Sequence, residues 1–104
     1  MSVVVIFTSR RTLSHDDEYD AMSARMVELV QGHPGFIEMT SVRDPQTREG
    51  VTVAYFRDEE SVRAWKAHAE HAEAQRQGMT ELYEAYRVTV AYVERDYGST
   101  PGGE

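Results

Sequence analysis

A chain of 104 residues with 18 acidic side chains against 11 basic ones carries a formal charge of -7, and that balance excludes a phosphate-tracking surface, because nucleic-acid affinity rests on Lys and Arg releasing counterions. The absence of Cys excludes a disulfide framework and a thiolate nucleophile, and the longest apolar run, residues 3–7, is far too short to span a bilayer. One domain of this size buries roughly two thirds of its unfolded surface, with little to spare for a large internal cavity, so a partner subunit would help it.

Met1-Ser2 leads straight into a strand, so no signal peptide is expected and the cytoplasm is the expected compartment. Residues 3–8, dense in β-branched side chains, read as a strand that is apolar on both faces. Ser14 then offers an N-cap, and Asp16, Asp17 and Glu18 suit the positive end of a helix dipole. Tyr19, Met22, Met26, Leu29 and Val30 form one helical stripe, which Gly32-His33-Pro34-Gly35 ends. Phe36 to Arg43 reads as a strand with Ile37, Met39 and Ser41 on one face, and residues 44–50 as a turn returning into the strand Val51 to Phe56. The second helix is expected over about Glu59 to Gln77, closed by Gly78, with Val62, Trp65, Ala69 and Ala72 facing inward. After an irregular piece, Met79 to Glu81, a last strand runs from Leu82 to about Glu94, and residues 98–104 read as a disordered tail behind a single domain over 1–97.

The order βαββαβ predicts a ferredoxin-like α+β fold: a four-stranded antiparallel sheet with both helices on one face. The other face has no cover within the chain, yet Val4, Ile6, Ala54, Phe56, Ala91 and Val93 alternate with equally apolar neighbours, so both faces are greasy. A sheet-to-sheet homodimer is the simplest way to bury such a patch.

Chemistry concentrates between Tyr55 and Arg87. Trp65 reads either as an indole that stacks on a flat ligand or as filler of the helix–sheet interface. His68, at the boundary of the inward stripe, reads either as a pocket base able to exchange a proton near neutral pH or as a partly solvated surface residue. His71 and Ser61 lie on the same flank. Arg87, a charge on an apolar strand, reads either as an anion stabiliser or as a partner for Glu84 or Glu94. Tyr55, Tyr83 and Tyr86 supply hydroxyls able to orient an oxygen-bearing ring, although Tyr is also common on half-buried strands. No metal site is expected, since His68 and His71 lack a third ligand at recognisable spacing. Neither a Gly-rich phosphate loop nor a G-x-S-x-G elbow is present.

His33-Pro34-Gly35-Phe36, the strand ending Tyr55-Phe56-Arg57-Asp58, the helix Ser61-x3-Trp65-x2-His68-x2-His71-x3-Gln75-x2-Gly78 and Tyr83-x2-Tyr86 together resemble the antibiotic biosynthesis monooxygenase domain of the dimeric α+β barrel superfamily, over about residues 3–95. The resemblance implies a homodimer whose two sheets pack into a barrel, with one pocket per subunit between helices and sheet. Its antibiotic-tailoring members oxidise an electron-rich hydroxylated aromatic with O2 to a quinone, using no cofactor. Trp65 stands at the place of the pocket Trp. Ser61 stands where the best-known tailoring members carry Asn. Haem-degrading members carry an Asn near the end of the first strand and an axial His ten residues after the Trp; here those places hold Ser9 and Gln75, leaving His68 or His71 as the haem ligand. The resemblance thus implies a cofactor-independent oxygenase of a small aromatic, with a non-catalytic dimeric binding protein and a haem protein as the alternatives.

Overall fold

The computed structural model describes residues 2–13, 16–74 and 83–98. It has the order β1 (Val3–Arg11), α1 (Asp16–Gln31), β2 (Phe36–Arg43), β3 (Glu49–Phe56), α2 (Glu59–Ala74) and β4 (Tyr83–Tyr92). The four strands form one antiparallel sheet in the order β2-β3-β1-β4, with both helices on one face, as the alternating patterns predict.

Register decides which side chains share that face. Val3 lies opposite Phe56 on one side and Tyr92 on the other, and Ser9 lies opposite Gly50 and Tyr86. Val3 and Phe56 are fully buried with Val30 of α1 and Val62 of α2, so the odd-numbered residues of β1 point to the helices. Thr8 lies opposite Val51 and Arg87, and Val4 opposite Tyr55, which puts Arg87 and Tyr55 on the uncovered face. Val5, Phe36, Met39 and Trp65 pack against the same core. Burying a side chain such as Val3 or Phe56 stabilises the fold by about 1.5–3 kcal/mol each.

The helix layer does not reach across β4. On its covered face Tyr86 is 52%, Val88 51%, Val90 50% and Tyr92 60% exposed, so these side chains stand open to solvent. The uncovered face carries half-buried Val4, Ile6, Val51, Val53 and Tyr55, and a concavity of about 790 Å³ opens at its Arg10 end, lined by Thr8, Arg10, Val42, Glu49, Val51 and Arg87 among others.

Three boundaries differ from the sequence reading. β1 continues past Thr8 to Arg11, because Ser9 and Arg10 keep pairing with Gly50 and Glu49, and β3 accordingly begins at Glu49 instead of Val51. Ile37 does not share a face with Met39 and Ser41: the ladder shifts between Phe36 and Glu38, a bulge that leaves Ile37 half exposed and puts Phe36 inward. β4 ends at Tyr92 instead of about Glu94, its expected start at Leu82 lying outside the described residues. The cap at Gly78, the piece 79–82, the tail 99–104, Ser14, His15 and Gln75 lie outside the described residues, as do the side chains of His71 and Ala72.

Candidate functional site

At the start of α2, Asp58 is the N-cap: its Oδ1 accepts from the Ser61 backbone N–H at 2.8 Å and from the Ser61 hydroxyl at 2.7 Å. These bonds hold the Asp58 carboxyl below the usual carboxylate range. Ser61 is buried and its hydroxyl is committed to Asp58, so it supports the helix start. Gly35, at φ 89°, presses against it: a Cβ there would collide with the Ser61 hydroxyl, which is why the Pro34-Gly35 turn tolerates only glycine at this point. The turn thereby seats His33, whose Nε2 lies 3.1 Å from the Ser61 carbonyl. A carbonyl can only accept, so Nε2 carries the proton and neutral His33 presents Nδ1 as its acceptor.

Trp65 and His68 gather around that imidazole. The His33 ring lies 5.5 Å from Trp65 and 6.3 Å from His68, and Trp65 and His68 are 5.9 Å apart, all between ring centroids. Trp65 is half buried against the core, whereas His68 is exposed on the flank beside His33. Sequence reasoning placed His33 in a loop and gave it no role; the neighbouring Pro-Gly turn and its return into a strand were the signal that it is held in place.

A second cluster occupies the other end of the covered face. Phe7 lies 5.4 Å from Tyr83 and 5.8 Å from Tyr86, and Tyr19 of α1 meets Tyr83 edge to face at 5.9 Å. Arg11 lies over the Tyr19 ring at 3.8 Å, and Arg43 faces Tyr19 at 5.2 Å and Tyr83 at 5.9 Å. Arg43 donates to Ser9 Oγ at 2.8 Å and to the Arg48 carbonyl at 2.7 Å. Arg48, at φ 66°, donates twice to the Thr12 carbonyl and pairs with Asp16. Asp16 also pairs with Arg11, and the Arg48 hydrogen bond, aided by the nearby charges, lowers its carboxyl pKa. Sequence reasoning gave these arginines no role.

The predicted site residues therefore separate. Trp65, His68 and Ser61 come together near His33; Tyr83 and Tyr86 meet Phe7 at the other end of the same face. Tyr55 and Arg87 lie across the sheet, so neither reaches a ligand bound beside Trp65 in the same chain. Ser9, where the haem-degrading pattern has Asn, accepts from Arg43. No group of three potential metal-ligating side chains occurs among the described residues, and no described helix is long and apolar enough to cross a membrane.

The profile of a family described as "Antibiotic biosynthesis monooxygenase" matches residues 2–77. Uncharacterized protein YqjZ of Bacillus subtilis (strain 168) is 38% identical over 91 residues, covering 88% of this chain and 78% of that protein. Among solved structures, Rv0793 from Mycobacterium tuberculosis is similar with a TM-score of 0.78 at 17% identity, covering 94% of this chain and 100% of that one. SnoaB, a cofactor-independent oxygenase from Streptomyces nogalater, has a TM-score of 0.73 at 16% identity, covering 94% and 98%. At those identities the likeness is one of fold. The profile match and the Bacillus relative go further: the chain belongs to the antibiotic biosynthesis monooxygenase family.

Proposed function

We propose that this chain is a cofactor-independent monooxygenase that oxidises a small hydroxylated aromatic with O2 to a quinone, working as a homodimer. The observation that carries the reading is the family match over residues 2–77. An anthrone illustrates the balance: its deprotonated form supplies the electrons, one oxygen atom of O2 becomes the new carbonyl, and the other leaves as water with the two methylene hydrogens. The protein then has to take a proton, stabilise an oxyanion and keep water away.

Trp65 serves as the ring wall and His68, beside His33, as the proton acceptor, with Tyr83 and Tyr86 orienting the oxygen-bearing ring. Glu59 at the start of α2 accepts a hydrogen bond from the hydroxyl of Tyr92, which pairs with Val3. Arg87 faces the other way, so the anion must be met by a cation on the covered face.

The test is oxygen uptake with anthrone in aerobic buffer containing a chelator. Uptake well above the buffer rate, quinone formation, and a loss of about a hundredfold or more in folded His68→Ala support the reading. Rates equal to buffer, with the same anthrone bound, would place the chain among binding proteins instead.

A further inference from the structure

We propose that Arg43 and Arg11, with Phe7, Tyr19, Tyr83 and Tyr86, form the anchor for an ionised oxygen on a planar aromatic ligand, a site that rests on the oxygenase reading and names the cation it lacks. Three guanidinium groups, those of Arg11, Arg43 and Arg48, converge where β1 and β2 end, β3 begins and α1 starts, and Asp16 is the one carboxylate that pairs with them among the described residues. Among the described residues, Arg43 bonds neutral acceptors, the Ser9 hydroxyl and the Arg48 carbonyl. Carboxylates are plentiful in a chain of net charge -7, yet Glu49 and Glu84 pair with Arg10 on the opposite face. Among the described residues, three guanidinium groups thus meet one carboxylate where the fold partly shields them.

The shielding is substantial. The Arg11 side chain is 12% exposed, and its Nε is buried without a hydrogen-bond partner. A donor left in that condition is costly unless an acceptor arrives. Room for the Arg43 guanidinium exists because residue 50 is glycine: a Cβ there would stand 2.7 Å from Arg43 Cζ. Arg48 adopts a left-handed conformation unusual for a side chain of its size, and its guanidinium ties the β2–β3 turn to the β1–α1 loop. Both features keep the cations in place.

The aromatic half of the anchor is already assembled. Phe7, Tyr83 and Tyr86 make a wall along β4, and the half-exposed Tyr86 ring leaves it open to solvent. A flat ring laid along this wall brings a phenolate, enolate or carboxylate oxygen to Arg43. Planar guanidinium groups suit such an oxygen because they donate in a fixed plane and do not lose their charge.

Titration calorimetry with 2-naphthoate, which cannot be turned over, tests the anchor separately from the oxidation. The expected result is binding about tenfold or more tighter than that of the neutral 2-naphthamide, the same loss in Arg43→Met, and no change in Arg10→Met, which removes a cation from the opposite face. Equal affinity for acid and amide, or a loss confined to Arg87→Met, would overturn it. If Arg43→Met does not fold, Arg11→Met should lose affinity in its place and the Tyr19 and Tyr83 ring resonances should shift on adding 2-naphthoate; full affinity in Arg11→Met with unmoved rings would overturn the anchor. Anthrone oxidation failing while naphthoate binding behaves as expected would refute the oxygenase and leave the anchor standing; the reverse pattern would refute the anchor alone.

Discussion

The two ends of the covered face solve opposite problems. At one end Val3, Val30, Phe56 and Val62 exclude water, Ser61 bonds Asp58, and His33 bonds the Ser61 carbonyl. At the other, aromatic rings frame arginines that, among the described residues, outnumber their carboxylate. The first end secures the fold; the second holds charge in a semi-enclosed place at some expense to it. Where a small domain concentrates cation without matching anion, a ligand is the natural complement.

The largest expected effect lies at the apolar end. Phe56→Ala removes a fully buried ring and should cost about 3–5 kcal/mol in urea unfolding. Arg43→Met, at the polar end, should cost far less, and a loss as large as that of Phe56→Ala would erase the distinction between the two ends.

Gly35→Ala sharpens the same contrast. Positive φ and the collision with Ser61 should together cost more than about 1 kcal/mol and displace His33 from the Ser61 carbonyl. The midpoint of denaturation and the His33 ring resonances report both parts.

A smaller effect follows from pH. Ser61 lowers the pKa of Asp58, Arg48 that of Asp16, and the Tyr92 hydroxyl that of Glu59. Each contribution is fully present above the unfolded pKa, about 4, and is lost as pH falls through the lowered folded value. Stability should therefore decline below about pH 4, and Asp58→Asn, which keeps the cap, should flatten part of that decline. An unchanged acid slope in Asp58→Asn would remove that carboxylate from the account. Tyr92 runs the other way. Its pKa is raised by the bond to Glu59, so its contribution is present below the ordinary tyrosine value and lost as pH rises through the folded one.

Much of the fold was legible because each element carries a clear period. The stripe from Tyr19 to Val30 and the short apolar runs of β1, β3 and β4 gave element order and sheet type. Parity along β4 also separates Tyr86 from Arg87, but sequence cannot say which parity the helices cover; that depended on Val3 and Phe56 being the buried pair. The bulge at Ile37 was hidden because Ile, Met and Phe are equally apolar there. Arg11 carried a readable signal, since it continues the parity of Val3, Val5, Phe7 and Ser9, although the strand was expected to stop at Thr8. The bond from Arg43 to Ser9 joins residues 34 apart in the chain, a contact no local pattern announces.

The decisive measurement is a map of ligand contacts by NMR on labelled protein titrated with 2-naphthoate. Shifts centred on Phe7, Tyr19, Tyr83, Tyr86 and the Arg43 guanidinium are the expected result. Shifts centred on Thr8, Arg10, Val51 and Arg87, across the sheet, would contradict it.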